Sequence, residues 1–249
     1  MHALGTDSTL WTAQVSALAD SHICVTYDLP GHGLSTAGSA SRYSFEGLAD
    51  DAAALLIELG ITRASVIGIS IGGEIAQMLA ARHPEVIEDL ILCSTACYTD
   101  RARVGVWEER MAAVRNHGMT ALAVATVNRW FTPAFRSTQP HIVEEYAERM
   151  SRLPPDTYVA FVRAIQTLDL RPLIRRLTCR SLIVCGSEDG ATGPHVAREI
   201  VNHLPSAHFE IMAGIGHLPN LEAPDAFLAL LRAFLARAAP SDRSALSAR

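Results

Sequence analysis

Residues Ala64–Pro84 read ASVIGISIGGEIAQMLAARHP, and two opposed patterns meet inside this segment. The first part, Ala64 to Ile69, is a short apolar run rich in β-branched residues, as a buried strand requires. The second, Gly72 to about Arg82, carries helical periodicity and stops before Pro84, which cannot continue a helix. Between them Gly68-Ile69-Ser70-Ile71-Gly72 fits the pattern G-x-S-x-G. Three fixed positions, each matched at roughly 7%, recur by accident in about one chain in ten of this size. The flanking strand–turn–helix therefore carries more weight than the pattern itself. So tight a turn places Ser70 in a strained backbone conformation, and Gly68, Gly72 and Gly73 remove side chains that would clash there. The Ser70 hydroxyl then stands at the carboxyl end of a sheet. The Ile71 N–H points to the same spot from the helix N-terminus, as an oxyanion donor would.

The same alternation continues in both directions. Further strands are expected at His22–Tyr27, Arg63–Ile69 (which includes the run above), Ile87–Cys93, Ser181–Gly186 and His208–Met212. Helical spacing separates them, as in Phe45, Leu48, Ala52, Leu55, Leu56 and Leu59, with Ser44 as N-cap and Gly60 beyond the last turn. Near the end Phe227, Leu230, Leu231 and Phe234 repeat at three and four, with Pro224 near the helix start. Strand–helix alternation of this kind predicts a mostly parallel sheet with helices on both faces. It breaks from Thr99 to about Thr167, which is polar, arginine-rich and helical in pattern. The expected organisation is an α/β core over 1–98 and 168–239, a helical insertion over 99–167, and a disordered tail over 240–249.

A serine nucleophile needs a base, and the base needs an orienting acid. In strand–elbow–helix enzymes the chain order is serine, acid, histidine. Leu182–Gly186 runs into Ser187-Glu188-Asp189, and Phe209–Met212 runs into Ala213-Gly214-Ile215-Gly216-His217. Asp189 and His217 are the expected partners of Ser70, with Glu188 and Asp100 as competitors for the acid. His32, in the loop Asp28-Leu29-Pro30-Gly31-His32-Gly33-Leu34-Ser35, suits a role in holding that loop.

With these residues in order, the chain resembles the α/β-hydrolase superfamily over nearly its whole length. Within it the chain is most similar to 3-oxoadipate enol-lactonases. That likeness rests on His2-Ala3-Leu4-Gly5-Thr6-Asp7 with Trp11, Ala80-Ala81-Arg82-His83, Arg129-Trp130-Phe131-Thr132 and Asp169-Leu170-Arg171-Pro172. The resemblance implies an oxyanion hole made by the N–H groups of Leu4 and Ile71. It also implies a helical cap over 99–167, with Trp130 facing the substrate. Pro30 stands where family members often carry arginine, and Ala3 replaces the usual Ser or Gly. Members of the superfamily also begin with two or three strands ahead of the oxyanion loop, whereas this sequence opens inside that loop. One of those strands would lie between His22–Tyr27 and Ala64–Ile69. A reading frame beginning ~20 residues or more upstream is the expectation, from strands of ~5–6 residues plus turns.

The implied activity is hydrolysis of an ester or lactone through an acyl-enzyme, most of all 3-oxoadipate enol-lactone in aromatic-compound catabolism, with no cofactor and no metal. An enol-lactone of this kind carries a carboxylate, for which Arg129, Arg136 and Arg163 are candidate cations. The alternatives on the same fold are a general carboxylesterase, a cofactor-free perhydrolase, a carbon–carbon bond hydrolase, and a non-enzymatic ligand-binding receptor or inactive scaffold. Composition narrows the field. The 249 residues carry a formal charge of −5 and no basic run, against a nucleic-acid groove. All 21 basic residues are arginine. Five cysteines (Cys24, Cys93, Cys97, Cys179, Cys185), odd in number and mostly in apolar runs, read as reduced thiols and not a disulfide or zinc framework. No apolar run approaches the ~18 residues of a membrane span, and no signal peptide opens the chain. A soluble, cytoplasmic protein acting on a small molecule is expected, with homo-oligomerisation left open.

Overall fold

The computed structural model describes residues 1–38, 43–204 and 206–236. The expected tail, 240–249, lies outside them. Helices α1 (Thr12–Leu18) and α2 (Phe45–Glu58) precede strand β1 (Ala64–Ile69), α3 (Ile71–Arg82) and β2 (Ile87–Cys93). Five helices follow: α4 (Val104–His117), α5 (Met119–Trp130), α6 (Pro133–Thr138), α7 (Pro140–Ser151) and α8 (Pro155–Gln166). After the short α9 (Arg171–Ile174) come β3 (Arg180–Gly186), α10 (Pro194–His203), β4 (Ala207–Met212), α11 (Pro219–Glu222) and α12 (Pro224–Ala236).

The four strands form one parallel sheet in the order β1-β2-β3-β4. The two central strands are buried almost throughout, from Leu90 to Cys93 and from Ser181 to Gly186, as a sheet covered on both faces demands. α3 packs on β1 and β2, α10 packs on β3 and β4, and α12 meets α1, with the Trp11 and Phe227 rings 6.2 Å apart. One charged cluster crosses the sheet. Buried Asp89 accepts from Ser65 Oγ at 2.8 Å and from the Arg180 guanidinium at 2.9 Å, joining β1, β2 and β3.

Local signals place the helix ends. Ser44 Oγ accepts from Gly47 N at 3.1 Å, which caps α2. Gly60, at φ 69°, takes the left-handed turn beyond its last residues. Between Tyr98 and Asp169 the described chain is helical with no strand, and its two ends are clasped together. Tyr98 bridges Asp169, Thr99 N donates to Leu168 O at 2.9 Å, and Leu170 N donates to Cys97 O at 2.7 Å.

One expected strand is absent. His22–Tyr27 joins no ladder, and Ile23 is 92% exposed. An extended segment becomes a strand only when a neighbour satisfies its backbone groups. Here the space between this segment and β1 is a cleft of about 390 Å³, lined by Ile23, Val25 and Tyr27 on one side and Ala64, Ser65 and Ile67 on the other. The superfamily resemblance puts a strand in that position. Along this edge, among the described residues, β1 pairs only with Met1, through Ile67 O and Ile69 N.

Candidate active site

Ser70 sits between β1 and α3 at φ 55° and ψ −124°, a region an L-residue occupies only when its surroundings enforce it. The enforcement is steric. A Cβ on Gly68 would lie 2.2 Å from Gly72 O, and one on Gly72 would lie 2.5 Å from Met1 O. β1, the turn and the N-terminal loop that starts at Met1 therefore approach more closely than any side chain permits. The Ser70 carbonyl accepts from Thr95 Oγ1 at 2.6 Å and from Gly73 N at 2.9 Å, which pins the turn.

His217 follows β4, and its side chain is buried behind Trp130. Its Nδ1 is 3.0 Å from Asp189 Oδ2 and 3.2 Å from Thr192 Oγ1. Its backbone N donates to Trp130 O at 2.7 Å, and the two rings stack with centroids 6.2 Å apart. Asp189, in the loop after β3, is also buried. Oδ1 accepts from Ala191 N at 2.8 Å and Thr192 N at 3.0 Å, and Oδ2 also accepts from Thr192 Oγ1 at 3.1 Å. Burial alone would raise the carboxyl's pKa. The neighbouring His217 and these hydrogen bonds outweigh it and hold the group at about 2. Of the competing acids, Glu188 is exposed, and Asp100 caps the turn at Arg101–Arg103 by accepting from Ala102 N.

Ser70 and His217 line one cavity of about 550 Å³, together with Leu4, Ile71 and Trp130. The serine, the histidine, Leu4, Ile71 and Trp130 thus converge on one cavity, with Asp189 buried directly behind His217. No hydrogen bond joins Ser70 Oγ to His217 in this state, and contacts of this kind often tighten only when substrate binds. Neither the Leu4 N–H nor the Ile71 N–H donates to another group among the described residues. The loop that carries Leu4 is held by two buried imidazoles. His2 Nε2 accepts from Leu29 N at 2.8 Å and His32 Nε2 accepts from Gly5 N at 3.1 Å. Burial lowers the pKa of His2 to about 3 and of His32 to about 4, so both remain neutral acceptors.

Several residues at the site belong to no sequence motif. Thr192 joins Asp189, His217 and Ser94 O (2.6 Å). Glu222 accepts from Thr132 N at 2.7 Å and Gly216 N at 3.1 Å, locking the loop that bears His217 to the end of α5. Arg149 on α7 binds Asp7 at 2.6 Å and ties the helical segment to the loop that carries Leu4. Of the three candidate cations, Arg129 lines the cavity and is joined there by Arg110, which was not among them. Arg163 is exposed, and Arg136 turns to Asn128 at 3.1 Å. Glu74 also lines the cavity. Its signal was present, since it is the one acidic residue in an otherwise apolar first half of α3. Among the described residues no cluster of three or more His, Cys, Asp or Glu could hold a metal ion. No described helix is long and apolar enough to cross a membrane.

This elbow, acid and histidine on a parallel sheet define the α/β-hydrolase class. The family model for the alpha/beta hydrolase fold matches residues 1–224, and the chain belongs to that family. Among its relatives is 3-oxoadipate enol-lactonase 2 of Acinetobacter baylyi, 30% identical over 95% of this chain and 87% of the relative. Another is the putative carbamate hydrolase RutD of Caulobacter vibrioides, 26% identical over 93% of this chain and 87% of the relative. The solved enol-lactonase from Burkholderia xenovorans superposes with a TM-score of 0.88 at 33% identity, covering 94% of this chain and 89% of that one. A thermophilic esterase from Thermogutta terrifontis, solved with malate bound, gives 0.88 at 25% identity, covering 95% and 88%.

Proposed function

We propose that the protein is a serine hydrolase that opens a carboxylated enol-lactone, of the 3-oxoadipate type, through an acyl-enzyme. The observation that carries this is the Asp189–His217 pair buried in the wall of the cavity that holds the strained Ser70. Asp189 accepts a hydrogen bond from Nδ1–H, which fixes the tautomer and leaves Nε2 as the basic nitrogen for the Ser70 hydroxyl. The hydroxyl attacks the lactone carbonyl as His217 accepts its proton. The free N–H groups of Ile71 and Leu4 receive the oxyanion, each worth roughly 3–4 kcal/mol. The ring oxygen leaves as an enolate, His217 returns the proton, and the enol becomes a ketone. Water, activated by the same imidazole, then releases the acid. The helices over 99–167 act as the cap, with Trp130 against the substrate.

The substrate carboxylate is assigned to Arg110 and Arg129. They come from α4 and α5, both are half-buried, and neither has a carboxylate partner among the described residues. Desolvation lowers both guanidinium pKa values, and for Arg110 the Arg129 charge lowers it further. Two like charges gathered in one cavity are an arrangement that an anion relieves.

The test compares a carboxylated enol-lactone with an uncharged ester of similar size. Wild type should prefer the lactone, Ser70→Ala should lose all turnover, and Arg110→Met or Arg129→Met should raise KM for the lactone alone. Preference for the uncharged ester would assign the protein to the general carboxylesterases, and turnover by Ser70→Ala would remove the serine mechanism.

A further inference from the structure

Glu74 lies one helical turn after Ser70, and its backbone N donates to Ser70 O at 3.2 Å. Both residues border the same cavity. Glu74 is only 6% exposed, it lines the cavity with Ser70 and Ile71, and its Oε2 has no hydrogen-bond partner. No cation lies within ion-pair distance of it among the described residues. A buried polar atom without a partner costs about 1–3 kcal/mol, and a cavity wall is where a ligand can remove that cost.

We propose that Glu74 is a specificity residue that hydrogen-bonds an acceptor oxygen of the bound substrate, so that the site favours an oxygenated chain over a hydrocarbon chain of the same length. This rests on the same cavity being the substrate site, and it adds a second polar anchor to the arginine pair. The carboxyl serves as the donor because burial raises its pKa to about 8, leaving it protonated at neutral pH. The other ionisable groups lining the cavity are distributed around it. The helical segment supplies Arg103, Arg110, Arg129 and Tyr158, and the chain after β2 supplies Tyr98 and Asp100. His195 and Glu199 come from α10, and His217 from the loop after β4. None of them contributes to the displacement of the Glu74 pKa, which desolvation alone produces. With no anion-stabilising charge beside it, the side chain meets a substrate as a neutral acid, and a neutral acid donates to carbonyl, ether or carboxylate oxygen.

Binding, measured by calorimetry, separates this from the hydrolytic assignment because it needs no turnover. The probes are 4-oxopentanoate and pentanoate, which differ in one ketone oxygen. Wild type should bind the oxo acid about tenfold more tightly near neutral pH, the equivalent of one hydrogen bond. Glu74→Leu should lose that preference, and Glu74→Gln, which keeps an N–H donor, should retain it. Above about pH 8 the preference should fade in wild type and persist in Glu74→Gln. Equal binding of the two acids by wild type, an unchanged preference in Glu74→Leu, or a wild-type preference that ignores pH would each overturn the proposal. Should Glu74→Leu fail to fold, the pH comparison between wild type and Glu74→Gln decides alone. Failure of Ser70-dependent turnover bears on the hydrolytic mechanism and leaves this result standing.

Discussion

Replacing Glu74 by glutamine keeps the shape of the side chain and removes its proton equilibrium, and the consequence for stability can be worked out. The carboxyl titrates near 4.5 in an unfolded chain, and burial lifts it to about 8 in the fold. Between those values the unfolded chain releases the proton and the folded one keeps it. The stability of the wild type therefore falls as pH rises, by about 1.4 kcal/mol per pH unit. The full contribution is present below about pH 4.5, and the loss levels off above about pH 8. Near pH 7 the accumulated penalty is roughly 3 kcal/mol, an upper figure because the cavity admits water. Glutamine carries no such penalty. Urea denaturation of the two proteins should give similar stabilities near pH 4, with Glu74→Gln ahead by about 2–3 kcal/mol near pH 7. Every other titrating group is common to both proteins and cancels in the difference. A gap independent of pH, or one that narrows between about pH 5 and 8, would show that the carboxyl is ionised in the fold and would refute the reasoning.

Two further outcomes test the site's construction. Asp189→Asn should lower kcat by about 10³–10⁴-fold, since the amide cannot hold the required His217 tautomer. It should also cost stability at neutral pH, because a carboxyl lowered to about 2 stabilises the fold above its ordinary 3.8 and loses that contribution as pH falls through about 2. Chemical denaturation followed from about pH 7 to pH 2 checks the sign, because the gap between wild type and Asp189→Asn should close at the acid end. Gly72→Ala sets a Cβ 2.5 Å from Met1 O and 2.6 Å from His2 O, both backbone atoms that cannot swing aside. A loss of about 2–4 kcal/mol is expected in thermal or urea melts, with a fall in kcat as the Leu4 N–H is displaced.

What the sequence determined by itself is local. The β-branched run before Gly68, the helical spacing after it and the glycine spacing around Ser70 specify a strand, a strained turn and a helix, because sterics and hydrophobic period act between near neighbours. The order of Asp189 and His217 after two later strands was legible for the same reason, since each follows an apolar run that could only be a sheet strand. His22–Tyr27 marks where that logic stops. Its composition is that of a strand, yet a ladder belongs to two segments and its neighbour is a cleft. The tertiary structure alone decided which groups meet. Thr192 beneath His217, Glu222 across to Thr132, Arg149 on Asp7, and Arg110 beside Arg129 each join elements remote in the chain. No periodicity encodes such a contact, because it depends on where whole helices come to rest. Glu74 stands between the two cases. Its place on the helix follows from counting four residues on from Ser70, but only the packed cavity around it strips away its water and leaves its oxygen without a partner.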